Sequence, residues 1–246
     1  MQERATRIHR LFVDAQLTAG ATVSATPDQA NYLRKVLRLG ADGEIMVFNG
    51  REGEWTAGLV PKGKRDLDLL VREQTRPQQG GPDIDYLFAP LKRMRLDYIV
   101  QKATEMGAAR IVPVLTQRTV ADRVKLERMR ANVIEAAEQC GILRIPECSE
   151  PATLAAVLAA TPDERRLIFC DEAAPQASPL AALADVPHGP LAVLIGPEGG
   201  FSQAEREMLL SRDGVVAISL GPRVMRADTA GVAAMALVNA TLGDWR

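Results

Sequence analysis

Histidine is almost missing from this chain: His9 and His188 are the only two in 246 residues. That scarcity excludes most nucleophile–histidine–acid triads and leaves too few ligands for a Cys/His zinc site. Cysteine is nearly as rare, and Cys140, Cys148 and Cys170 form no C-x-x-C pair. An odd count at that spacing argues against a disulfide framework, and the flanking apolar sequence fits buried thiols. No run of 18 apolar residues occurs, so no membrane span is expected. The first residues, Met1-Gln-Glu-Arg-Ala-Thr-Arg7, lack an apolar signal core. A cytoplasmic, metal-free protein is the expectation. Charge of one sign is lacking too: the formal net charge is −1. Residues 1–78 carry 12 Lys+Arg against 10 Asp+Glu, leaving the remainder net negative. A nucleic-acid partner would therefore have to meet a local patch.

What is present is a soluble-type composition, 47% hydrophobic and 25% charged, long enough for two domains. Residues 7–74 turn often and alternate, as a small β-rich module does. Strands are expected at Leu11–Val13, Glu44–Phe48, Trp55–Ala57 and Leu67–Val71, with Asn49-Gly50 as a hairpin turn. Asn31–Leu39 has the spacing of a short amphipathic helix. Arg7, Arg10, Arg34, Lys35, Arg38 and Arg51 could make one basic face, either a solvated surface or an RNA contact. Residues 75–83 hold no apolar side chain and are rich in Pro, Gly and Gln, a linker composition. From residue 84 the pattern becomes strand–helix alternation: strands at 84–89, 110–115, 167–170, 191–195 and 215–220, helices at 95–106, 124–139, 154–160, 180–184, 203–211 and 229–242. That is an α/β domain, 84–246, with a mostly parallel sheet.

Two stretches of this domain stand out. Leu194-Ile-Gly-Pro-Glu-Gly-Gly200 and Ile218-Ser-Leu-Gly-Pro-Arg-Val-Met-Arg226 each run as a buried strand, break at Gly-Pro, and precede a helix. Ser202 and Glu205 fit a capping box at the start of the first helix. Ligands of open α/β sheets gather at such carboxyl ends. Gly196, Gly199 and Gly200 permit close backbone approach and positive φ. Glu198 would repel phosphate, and both Lys-Ser/Thr and G-x-G-x-x-G are missing, so a phosphate-free ligand held by backbone groups is expected. A tight turn with no ligand is the plain alternative. Other charged residues at loop ends are Lys92, Arg93, Glu105, Arg118, Glu138, Arg223, Arg226 and Asp228. Glu105 and Glu138 sit late in helices, where the macrodipole disfavours a carboxylate. Arg223 and Arg226 could pair with Glu198 or face RNA.

Ile195-Gly-Pro-Glu-Gly-Gly-Phe-Ser202 followed by Leu220-Gly-Pro-Arg-Val-Met-Arg-Ala-Asp-Thr-Ala230 resembles the cofactor signature of the RsmE family. These are small-subunit ribosomal RNA uridine N3-methyltransferases of the SPOUT superfamily. His9–Val13, Leu33–Arg38, Lys102–Gly107 and Glu138–Gly141 are similar to further family segments. Tyr32, where histidine is frequent, and Asp228, where glutamate is common, depart from the pattern. The resemblance implies a PUA-like RNA-binding β-barrel at 1–74, a linker at 75–83, and a SPOUT domain with a deep trefoil knot. It implies S-adenosyl-L-methionine held by Leu194, Ile195, Gly196, Glu198, Gly199, Gly200, Ile218, Leu220, Gly221, Val224 and Met225. From their place beside the cofactor loop, Arg226 or Arg223, with Arg10 or Arg118 from elsewhere, is expected to stabilise a uracil anion, and solvent or Glu198 to take its proton; Arg7, Arg10, Arg34, Arg38 and Arg118 are the expected RNA contacts. The implied partners are 16S rRNA, at the family target uridine 1498, and a second copy of the chain. An RNA-binding protein, or a SPOUT methyltransferase with another RNA target, is the alternative.

Overall fold

A computed structural model describes residues 9–63, 65–120, 123–174 and 178–245. The chain divides into two compact units. The first holds the described residues up to Gly80 together with Ala137–Ile145; the second holds Gly81–Ala136 and Pro146 onward.

The first unit contains β1 (Arg10–Phe12), β2 (Thr22–Ser24), α1 (Pro27–Asn31), a π-helical turn (Tyr32–Val36), β3 (Glu44–Phe48), β4 (Glu54–Lys62) and β5 (Asp66–Arg76). The strands form one sheet in the order β1-β3-β4-β5-β2, antiparallel except for β1 beside β3. Leu11, Val23, Leu33, Ile45, Val47, Leu69 and Val71 build its core. The helix expected at 31–39 differs. Thr26 and Gln29 form a capping box with Pro27 in the first turn, so α1 starts earlier. It gives way to the π-helical turn, and Arg38 takes a left-handed φ of 55°. β5 also runs on to Arg76, so the expected linker segment begins as strand. β2 was not anticipated, because three residues give no readable alternation.

The second unit contains β6 (Ile84–Phe88), α2 (Arg93–Glu105), β7 (Arg110–Leu115), α3 (Leu126–Cys140, whose last residues belong to the first unit), β8 (Glu147–Cys148), β9 (Ala152–Thr153), α4 (Leu154–Ala160), β10 (Arg166–Cys170), α5 (Pro179–Ala184), β11 (Leu191–Ile195), α6 (Gln203–Leu210), β12 (Val215–Ile218) and α7 (Ala227–Thr241). Every strand pair in it is parallel, in the order β12-β10-β11-β6-β7-β8, with β9 on β7. Every residue of β6 and β11 is buried, which explains why these strands are continuous apolar runs. Leu87, Leu194, Phe169 and Leu209 belong to one core cluster of this unit. On α7, Gly231 lies so near Tyr86 of β6 that a Cβ there would sit 2.1 Å from the phenol oxygen. Because β10 lies between β11 and β12, the loop leaving β10 falls between the two Gly-Pro loops at the carboxyl edge.

Candidate active site

The chain leaves β11 at Ile195 and turns at once. Phe201 folds back over Gly196, where a Cβ would lie 2.5 Å from its ring, and meets Phe169 edge-on at 5.0 Å. Gly200 donates its N–H to the carbonyl of Pro197 (2.9 Å) and takes φ 68°. Of the three glycines, Gly200 alone has positive φ, while Gly196 serves close packing. Ser202 and Glu205 form the expected capping box at the start of α6. Glu205 is buried and does more than cap: Oε2 accepts from Ser202 N–H (2.9 Å), and Oε1 from the Gln117 N–H (2.7 Å) on the segment leaving β7. Arg118 on that segment donates to the carbonyl of Gly199 (2.7 Å). Glu198 pairs with Arg95 of α2.

The second Gly-Pro loop is more open. The Ser219 hydroxyl accepts the N–H of Gly221 (3.3 Å), which takes φ 104°. Arg223 and Val224 are exposed, Val224 to 90%, and Arg226 occupies the N-cap position of α7. Among the described residues neither Arg223 nor Arg226 forms an ion pair; the expected pairing with Glu198 is replaced by Arg95.

The loop between them starts at Asp171, which is buried. Its N–H donates to the Ile218 carbonyl (3.0 Å), its Oδ1 accepts from the Ala173 N–H (3.0 Å), and its Oδ2 accepts from Nε of Arg206 on α6 (2.8 Å). One residue thus ties the end of β10 to β12 through its backbone N–H and to α6 through its carboxylate. Glu172 brings Oε1 to within 2.8 Å of where a Cβ on Gly200 would stand.

A cavity of ≈ 330 Å³ opens among the three loops. The expected cofactor residues line it except Leu194 and Gly199; Leu194 lies in the sheet core, and the Gly199 carbonyl faces Arg118. Arg223 lines it and Arg226 does not. Cys170, Asp171, Glu172, Gln203 and Arg206 also line it and were missed from sequence. The run at β10 breaks at Cys-Asp-Glu without glycine or proline, so nothing marked that loop. Burial pushes the Cys170 thiol up to about 12, which keeps it protonated and unreactive. No group of His, Cys, Asp and Glu that could hold a metal occurs among the described residues, and no helix there is long and apolar enough to cross a membrane.

The expected RNA contacts fare differently. Arg7 lies outside the described residues. Arg10 has structural work in the first unit: it pairs with Glu54 (2.6 Å), donates to the carbonyls of Ala137 (2.6 Å) and Ile142 (3.3 Å), and stacks on Phe48. That placement removes it from the expected basic face. Arg34 donates to the Asp66 carbonyl (2.8 Å), and Arg51 pairs with Asp14. Arg38 is exposed. Glu138 accepts the Phe12 N–H (2.8 Å) and Glu105 pairs with Lys102, which gives both late-helix carboxylates local reasons.

Residues 79–239 match an RNA methyltransferase domain family, and residues 25–71 an RNA methyltransferase PUA domain family. The chain is 31% identical to ribosomal RNA small subunit methyltransferase E of Synechocystis sp., covering 95% of this chain and 78% of that one. A methyltransferase of Legionella pneumophila, solved with bound SAM, superposes with a TM-score of 0.86 at 28% identity over 97% of this chain and 99% of its own. Ribosomal RNA small subunit methyltransferase E of Neisseria gonorrhoeae, solved bound to S-adenosyl methionine, gives 0.85 at 27% identity, over 97% and 100%.

Proposed function

The chain belongs to the ribosomal RNA small subunit methyltransferase E family, and on that premise we propose that it methylates N3 of one uridine in 16S rRNA, the position numbered 1498, with S-adenosyl-L-methionine as donor. The observation that carries this reading is the cavity at the joined carboxyl ends of β10, β11 and β12, lined by both Gly-Pro loops. Its residues fit the donor. Glycine backbone and the apolar Ile195, Ile218, Leu220 and Met225 suit an adenosine, and Glu198 and Glu172 suit a cationic centre.

When bound, S-adenosyl-L-methionine supplies an electrophilic methyl group for in-line transfer. The chain's task is to position the uracil and bear charge. Uracil N3 carries a proton at neutral pH, and its loss leaves an anion. Arg223 at the cavity and Arg226 at the α7 N-cap have no ion-pair partner among the described residues and stabilise that anion. Glu198, held by Arg95, contributes negative charge at the rim rather than accepting the proton, which passes to solvent. Arg38, Arg34 and Arg118 are the RNA contacts in this reading, with Arg10 and Arg7 left aside. The trefoil knot, the cytoplasmic location and a homodimer belong to the same reading. The crossing order β12-β10-β11 and the return of α7 to β6 support the knot.

Two measurements test it. Calorimetric titration with S-adenosyl-L-methionine is expected to show one site in the wild type, lost in Gly200→Val, because that change places a branched side chain at positive φ against Glu172. Nucleoside analysis of small-subunit rRNA after reaction is expected to yield 3-methyluridine. A ribose-methylated product would reassign the target, and RNA binding without cofactor binding would favour a docking protein. Arg226→Ala is expected to lower kcat by about 100-fold with little change in cofactor affinity, as loss of one charge-stabilising group does.

A further inference from the structure

Arg206 is an odd residue for its place. It lies in the first turns of α6, where the macrodipole is positive and a cation is disfavoured. Its side chain is nevertheless fixed there, 28% exposed, by Asp171, whose own side chain is 5% exposed. A buried aspartate that holds an arginine by Nε alone uses one of five donors. The terminal Nη1 and Nη2 have no partner within the chain among the described residues, and the residue lines the cavity. Guanidinium and helix start together make an anion-attracting corner of this cavity on α6, separate in the chain from Arg223 of the second Gly-Pro loop and opposite in sign to Glu172 and Glu198.

S-adenosyl-L-methionine carries a single anionic group, the carboxylate of its methionyl tail. We propose that Arg206, positioned by Asp171, receives that carboxylate and so selects donors with an intact amino-acid tail. This rests on the cofactor reading above. The arrangement also explains why Asp171 is buried: it holds the guanidinium in one orientation, so little side-chain entropy is lost when the ligand binds.

The test uses two ligands that differ only in this group, S-adenosyl-L-methionine and its decarboxylated form, titrated calorimetrically into the full-length wild type, Arg206→Met and Arg206→Lys. The wild type is expected to prefer the intact ligand by about 10- to 100-fold, the worth of one charged hydrogen-bonded contact. Arg206→Met is expected to bind both ligands alike, with its affinity for the decarboxylated form unchanged. Arg206→Lys, which keeps the charge and the Asp171 pair but not the fork, is expected to retain part of the preference. Equal weakening of both ligands in Arg206→Met, with the preference intact, would make the residue a structural brace and overturn the proposal. A wild type that binds without preference would overturn it too, while leaving the cofactor reading in place. A wild type that binds neither ligand would end both.

Discussion

At the residue scale, the glycines of the first Gly-Pro loop look equivalent in sequence and are not. Gly200 has φ 68° and meets Glu172, whereas a Cβ on Gly199 would find only the Arg118 methylenes at ordinary contact distance, 3.5 Å. Gly200→Ala is therefore expected to cost about 1–2 kcal/mol, and Gly199→Ala a few tenths, in urea unfolding. The thiols separate similarly. Burial raises Cys148 from 9.0 to about 11 and Cys170 from 9.0 to about 12, while Cys140 is exposed. Iodoacetamide at pH 7.5 is expected to label Cys140 in the native protein, and the other two only in denaturant, as peptide mass spectrometry would resolve. The folded state holds these two protons more tightly than the unfolded state does. Their contribution is complete below pH about 9 and declines as the unfolded thiols ionise above it. Stability should fall between pH 9 and 11, and Cys148→Ala should flatten part of that fall in a series of denaturant midpoints.

At the element scale, α7 is decided by one contact. Gly→Ala in a helix interior ordinarily stabilises by about 1 kcal/mol. At Gly231 the added Cβ would stand 2.1 Å from the Tyr86 oxygen and 2.8 Å from Ile99 Cδ1, so α7 would have to shift. Gly231→Ala is expected to destabilise by about 1–3 kcal/mol instead. Tyr86→Phe should relieve part of that cost, since the buried hydroxyl has no hydrogen-bond partner among the described residues. A stabilised Gly231→Ala protein in urea unfolding would contradict the packing. Glu205 acts at the same scale. Its two carboxylate oxygens join the α6 cap to the segment carrying Arg118. Glu205→Gln is expected to keep the fold and loosen that segment, read as faster amide exchange at Gln117.

At the scale of the whole molecule, the first unit is discontinuous in sequence. Residues 137–145 bring Ala137, Leu143, Ile142 and Ile145 against Phe48 and Phe12, and supply the carbonyls that Arg10 and Arg76 hold. A fragment ending at Gly80 would leave Phe48 uncovered and Arg10 without those acceptors. It is expected to bind a hydrophobic dye and unfold at lower urea than the corresponding transition of the full chain. A fragment as stable as the intact unit would show that these contacts contribute little.

Amino-acid order alone was enough for the α/β class, for most strands and helices of residues 84–246, and for the two Gly-Pro loops. Each of these depends on periodicity, glycine and proline, which act within a few residues. β6, β7, β11 and α4 fall within a residue of expectation because buried parallel strands and capped helices carry their signals locally. Asp171, Glu172 and Arg206 carry no such signal. They join the site because parallel pairing inserts β10 between β11 and β12, a choice made by distant strands. Arg10 shows the converse: its spacing suited a basic surface, but tertiary packing brought Glu54 and the end of α3 around it. Local sequence specifies conformations, whereas strand order and burial decide which charges meet a ligand and which meet one another.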